Sequence, residues 1–251
     1  MNKVLAGIIA LVIGLASPVF ASDVTKAHLN KPTKAKTFKL NVDNNRTVIL
    51  RGPVREDNVR AIIDQMNDFS LKGNQDIFMI IDSPGGSVVD GFELIDAIRA
   101  LKVNKGTRVI CAVEAEAYSM AALIALFCNQ TYMHKHANIM FHQAAFGVQG
   151  LANQVFSRVL FMHGYLQRLH QDIATQMGIK VEEYNDLIED EWWMGAETAA
   201  SLGIVDGVLD TLFYTAKPPQ TNDFSILFGL EKEPNIVINP LRKVPDNVRN
   251  P

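Results

Sequence analysis

Continuous apolar runs alternate with stretches in which apolar residues recur at helical spacing, and this alternation organises most of the chain. Asp76-Ile77-Phe78-Met79-Ile80-Ile81 is almost wholly apolar, the pattern of a strand buried on both faces of a sheet. Thr47-Val48-Ile49-Leu50, closed by Gly52-Pro53, predicts an earlier strand. Between the two, Asp57 opens a helix with Val59, Ile62, Ile63 and Met66 on one face. Phe92, Ile95, Ile98 and Leu101 mark a second helix. Residues 107–113 read as a strand, 119–128 as an apolar helix, and Ala137 to Phe141 as another strand ending at His142. Strands alternating with helices in this way predict an α/β fold with a largely parallel sheet. Further on, Leu151 to Met177 carries a long helical pattern ended by Gly178. A helix around 181–188, a short helix over 196–202 closed by Gly203, and a strand over 204–209 complete the pattern.

The two ends depart from it. Lys3 precedes an apolar run from Val4 to Leu15, and Val19-Phe20-Ala21 places small residues at the -3 and -1 positions of a cleavage site. Residues 1–21 therefore read as a secretory signal peptide, with Ser22 as the mature start. The run falls short of the roughly 20 residues a membrane span needs. Export to the periplasm or outside the cell is the expectation; a cytoplasmic protein is the alternative if that reading fails. Residues 22–44 are polar and Lys-rich at their start and read as a flexible arm. From 211 to 251 the chain turns Pro-rich, an extended tail. What lies between, 45–210, is expected to be one domain, since 48% hydrophobic residues suffice for one core. A net charge of -3 gives no reason to expect nucleic acid as a partner.

The candidate chemistry sits at the joins between elements. In Ala112 to Ala122, AVEAEAYSMAA, Ser119 stands between strand and helix with Ala117 and Ala121 two residues to either side. A serine on a sharp strand-to-helix turn needs small flanking residues because the backbone there is crowded, which is the logic of the nucleophile elbow; a plain helix cap is the other reading. Ser83-Pro84-Gly85-Gly86-Ser87 follows a buried strand, and its glycines let backbone N–H groups face a ligand. The Gly-Lys-Ser/Thr ending of a phosphate loop is missing from it. His142 is placed where a parallel sheet presents its functional loops. His134 and His136 flank Lys135 without the further ligands a metal would need, and no metal or cofactor is expected. Cys111 and Cys128 either form a disulfide, which an exported protein permits, or remain two buried thiols.

In order, these motifs are Asp82-Ser83-Pro84-Gly85-Gly86-Ser87, Ala117-Tyr118-Ser119-Met120-Ala121, Met140-Phe141-His142-Gln143, and Gly147-Val148-Gln149-Gly150 before a long helix. Over about residues 45–210 the chain resembles ClpP, the proteolytic subunit of the Clp protease. The resemblance implies the ClpP/crotonase fold, with repeated βαβ units and a protruding strand-helix handle. It implies a Ser-His-acid serine endopeptidase with Ser119 as nucleophile, His142 as general base, and the backbone amides of Gly86 and Met120 as the oxyanion hole. The acid position falls on Glu191, where the family carries Asp, with Asp190 as its neighbour and alternative. The resemblance further implies a homo-oligomeric ring, stacked through the segment from Gln143 to the long helix, that acts on peptides or unfolded protein. An export signal is foreign to ordinary members of the family, so an ATPase unfoldase partner is not expected outside the cytoplasm.

Three other readings compete. A relative of signal-peptide peptidase A would use a Ser-Lys dyad, and Lys102, Lys105 and Lys135 are the nearest lysines in sequence. A non-catalytic scaffold could keep the fold without turnover. An acyl-CoA enzyme of the crotonase type would not need Ser119 and His142 together.

Overall fold

A computed structural model describes residues 35–214. The expected signal peptide, the first part of the arm and nearly all of the Pro-rich tail lie outside these residues. Strand β1 (Thr37–Val42) is followed by β2 (Thr47–Arg51), helix α1 (Glu56–Leu71), β3 (Ile77–Ser83), α2 (Val88–Lys105), β4 (Val109–Tyr118) and α3 (Met120–Phe127). Then come β5 (Gln130–His134), β6 (Asn138–Phe141), α4 (Ala152–Met177), α5 (Val181–Leu187), β7 (Trp192–Gly195), α6 (Ala196–Ser201) and β8 (Gly207–Tyr214). The architecture is the α/β one expected. The stretch read as an arm nevertheless contains β1, which pairs in parallel with β8 from Thr37↔Val208 to Val42↔Tyr214.

The sheet runs β1-β8-β5-β4-β3-β2, every pair parallel. Its central strand changes partner midway. The first half of β4 pairs with β5 (Ile110↔Gln130 to Val113↔Met133), and the second half pairs with β6 (Glu116↔Asn138 to Tyr118↔Met140). A register shift between Ile81 and Ser83 in the facing β3 falls at the same level and bends the sheet there. β6 thus leaves the main sheet and pairs antiparallel with β7.

The main core lies between the sheet and helices α1, α2 and α3. Val59, Ile62 and Met66 of α1 and Leu94, Ile95 and Ile98 of α2 meet Met79 and Ile81 of β3. A smaller cluster of Ile80, Ile110, Ala112, Tyr132 and Leu209 covers the other face. This two-sided burial is why β3 and β4 are continuous apolar runs. Helix α3 is buried almost all round, and Cys128 beyond it forms a disulfide with Cys111 of β4, Cα atoms 6.0 Å apart. Of the two readings of these cysteines, the structure holds the bridge. Among the described residues no helix is long and apolar enough to cross a membrane.

Candidate active site

Ser119 is the residue at which β4 becomes α3. Its φ of 54° and ψ of -122° make it the one non-glycine residue with positive φ among those described. Such a backbone costs on the order of 1–3 kcal/mol and persists only where the surroundings enforce it. Here Ala117 and Ala121 are both fully buried, so the small flanking residues are a packing requirement. The Ser119 N–H donates to Met140 O at 2.8 Å, tying the turn to β6. The Tyr118↔Met140 register then brings the ends of two parallel strands side by side. One residue past β6, His142 presents Nε2 at 2.7 Å from Ser119 Oγ.

The Ser83–Ser87 turn closes the opposite side. Gly85 (φ 88°) and Gly86 (φ 151°) both take conformations that L side chains rarely adopt. A Cβ on Gly85 would strike Tyr118 O, lie 2.7 Å from Ser119 Cβ and 2.9 Å from Met120 N. The turn is anchored to Val54, whose N–H donates to Gly85 O at 2.8 Å and whose carbonyl accepts from Ser87 N at 3.0 Å. This leaves the Gly86 N–H without an acceptor among the described residues. Met120 N–H, the first of α3, has no intrahelical partner. Both residues line one cavity with Ser119 and His142. Ser119, His142, Gly86 and Met120 are therefore brought together.

The carboxylates are not. β7 pairs with β6 as Phe141↔Trp192 and Met140↔Trp193, and the ladder ends there, with Glu191 and His142 each the next residue beyond it. The Glu191 carboxylate accepts from the Trp193 indole Nε1 at 2.9 Å. Asp190 is exposed. Among the described residues neither carboxylate bonds to His142. The Trp193 ring stands edge-on to Tyr118, centroids 4.9 Å apart, so the acid, the tryptophan and the residue before the nucleophile form one surface group.

The cavity beside Ser119 measures about 350 Å³. Val88, Met120, Leu123, Leu169 and Ile173 give it apolar walls, and His170 and Tyr184 also line it. Nothing in the sequence singled out these last two. His170 reads as one polar position on a long amphipathic helix, and Tyr184 as an apolar position on a short one. Only the return of α5 beneath α4, with the two rings in edge contact at 5.4 Å, unites them. Burial pushes the Tyr184 phenol well above its ordinary range, and burial followed by the charge of Glu116 raises that of Tyr118. Both are neutral donors at physiological pH. No lysine lines the cavity. His134 and His136 face each other 5.8 Å apart, and among the described residues no cluster of three metal-ligating side chains occurs.

The model of the Clp protease family matches residues 30–212. That span covers well over half of the chain, includes β1, and contains every residue of the site above. Members of that family are peptidases, hydrolases of the peptide bond. Matched over this length and folded as described, the chain belongs to the Clp protease family.

Proposed function

We propose that this protein is an exported serine endopeptidase in which Ser119 attacks the peptide carbonyl and His142 serves as general base. The observation that carries the reading is the 2.7 Å hydrogen bond between His142 Nε2 and Ser119 Oγ beside the free N–H groups of Gly86 and Met120. In this mechanism Nε2 takes the hydroxyl proton as Oγ bonds to the carbonyl carbon. The oxygen becomes an oxyanion facing Gly86 N–H and Met120 N–H, donors already in place before the charge develops. His142 returns the proton to the leaving amine. Water, deprotonated by the same imidazole, then releases the acyl group. Glu191 is the carboxylate that orients His142, a role supported by its place in the β6–β7 register and requiring it to leave the Trp193 indole.

Two features support the wider reading. A buried disulfide suits an oxidising compartment, in keeping with the signal peptide read at residues 1–21. On the first half of α4, Phe156, Leu160 and Phe161 are more than half exposed, an apolar grouping of the kind that marks an interaction surface. Assembly into a ring through this segment would cover it and enclose the sites. The substrates would then be peptides and unfolded chains, admitted without an ATPase.

Reaction of the mature protein with a fluorophosphonate tests the proposal. The expected adduct is on Ser119 and is lost in His142→Ala. Absence of an adduct in folded protein would sink the peptidase reading in favour of a scaffold. The engagement of Glu191 by Trp193 is the observation that keeps the scaffold in view.

A further inference from the structure

The cavity beside Ser119 has apolar walls but a polar end. Tyr184 is only 2% exposed, and its hydroxyl has no hydrogen-bond partner among the described residues. The hydroxyl is not among the sealed unsatisfied atoms and so stays open to water; a substrate group that covers it is favoured when it replaces that hydrogen bond and disfavoured when it does not. Next to it, His170 Nδ1 lies 2.7 Å from Asn185 Oδ1. A carbonyl oxygen only accepts, so Nδ1 carries the hydrogen and the neutral ring keeps Nε2 as an acceptor. The end of the cavity thus combines one donor, the Tyr184 hydroxyl, with one acceptor, His170 Nε2. No charged side chain of Asp, Glu, Lys or Arg lines the cavity to balance a buried ion.

From this we infer that the cavity selects a substrate side chain with an apolar stem and a neutral hydrogen-bonding tip, and that glutamine on the acyl side of the cleaved bond is the best match. The inference rests on Ser119 as the nucleophile. A carboxamide offers the reciprocal pair: its oxygen accepts from Tyr184 and its NH2 donates to His170. Methionine has nearly the same length and shape but leaves both groups unmade. Glutamate would set a negative charge against the Nε2 lone pair. A lysine ammonium would be buried without a counter-charge.

The test uses two peptidyl phosphonate esters that differ only in carrying a glutamine or a methionine side chain next to phosphorus. The second-order rate of Ser119 phosphonylation is measured for each, with a simple alkyl fluorophosphonate as control. The glutamine compound is expected to react about five- to tenfold faster, the worth of one to two neutral hydrogen bonds. Tyr184→Phe, checked for fold by circular dichroism, is expected to cut that ratio to about twofold or less. His170→Leu lowers the same ratio and serves where Tyr184→Phe does not fold. Equal rates, or a faster methionine compound, with Ser119 still labelled by the alkyl probe would overturn the specificity and leave the peptidase standing. Failure of the alkyl probe itself would overturn the peptidase reading beneath it.

Discussion

The β6–β7 ladder ends at Phe141↔Trp192, one residue short of both His142 and Glu191, and the Glu191 carboxylate accepts from the indole of Trp193 at 2.9 Å. With Glu191 as the carboxylate that orients His142 in the proposed mechanism, Glu191→Gln is expected to lower kcat by about 10²-fold or more with KM little changed, as loss of an orienting carboxylate does. Asp190→Asn is expected to have little effect. Trp193→Phe, which removes the competing donor, is expected to leave kcat equal or raised. Steady-state peptide hydrolysis by the three variants checks this. Unchanged turnover in Glu191→Gln would mean that Ser119 and His142 work as a dyad.

Gly85 is where the two halves of the site touch. Any side chain there meets backbone on the β4–α3 turn, namely Tyr118 O and Met120 N, and backbone has no rotamer to escape into. Its φ of 88° adds strain of its own. Gly85→Ala is expected to destabilise the fold by about 2 kcal/mol or more and to abolish Ser119 labelling. Thermal unfolding and probe labelling are the measurements. Gly106, with φ 67° but no atom within 4 Å of a Cβ, is the control: Gly106→Ala carries only the backbone penalty.

Chemistry-bearing positions were legible in the sequence where local order determined them. Ser119 between alanines, two glycines after a buried strand, and a histidine at a strand end are each short-range patterns, and the structure joins all three. The helices were legible too, with boundaries within a few residues, because their apolar faces repeat. Strands β1, β5 and β7 were not. Thr37–Val42 follows a lysine-rich stretch, and its strand state depends on β8, far along the chain. Gln130–His134 is polar at both ends and is held by β4 and β8. The polar end of the cavity was illegible for the same reason: His170 and Tyr184 meet only through the folding of α5 against α4.

His134 makes a pH prediction. Burial lowers its pKa first, and the neighbouring charges of His136 and Lys135 lower it further. The folded state therefore binds this proton less readily than the unfolded chain does. The contribution of neutral His134 is complete above its unfolded value of about 6.5 and is lost as pH falls from there through the folded pKa. Denaturant midpoints for the wild type are expected to drop between about pH 7.5 and pH 5, and to drop less in His134→Gln. An identical slope in the variant would assign the acid sensitivity elsewhere.

The Cys111–Cys128 bridge ties the strand that delivers Ser119 to the end of the helix that begins at Met120. The elbow therefore sits inside a closed loop with a sequence separation of 17. In the chain-entropy account a loop of this size restricts the unfolded state by about 3 kcal/mol. Both cysteines are buried, so replacing them by alanine tests the bridge without stranding a polar group. The Cys111→Ala/Cys128→Ala protein is expected to lose about 2–3 kcal/mol in denaturant unfolding while keeping Ser119 labelling at moderate temperature. The wild type is expected to lose a similar amount when unfolded in the presence of reductant, and the double variant nothing further. Free thiols titrated in denatured, unreduced protein would contradict the bridge, and with it one of the two supports for an oxidising compartment.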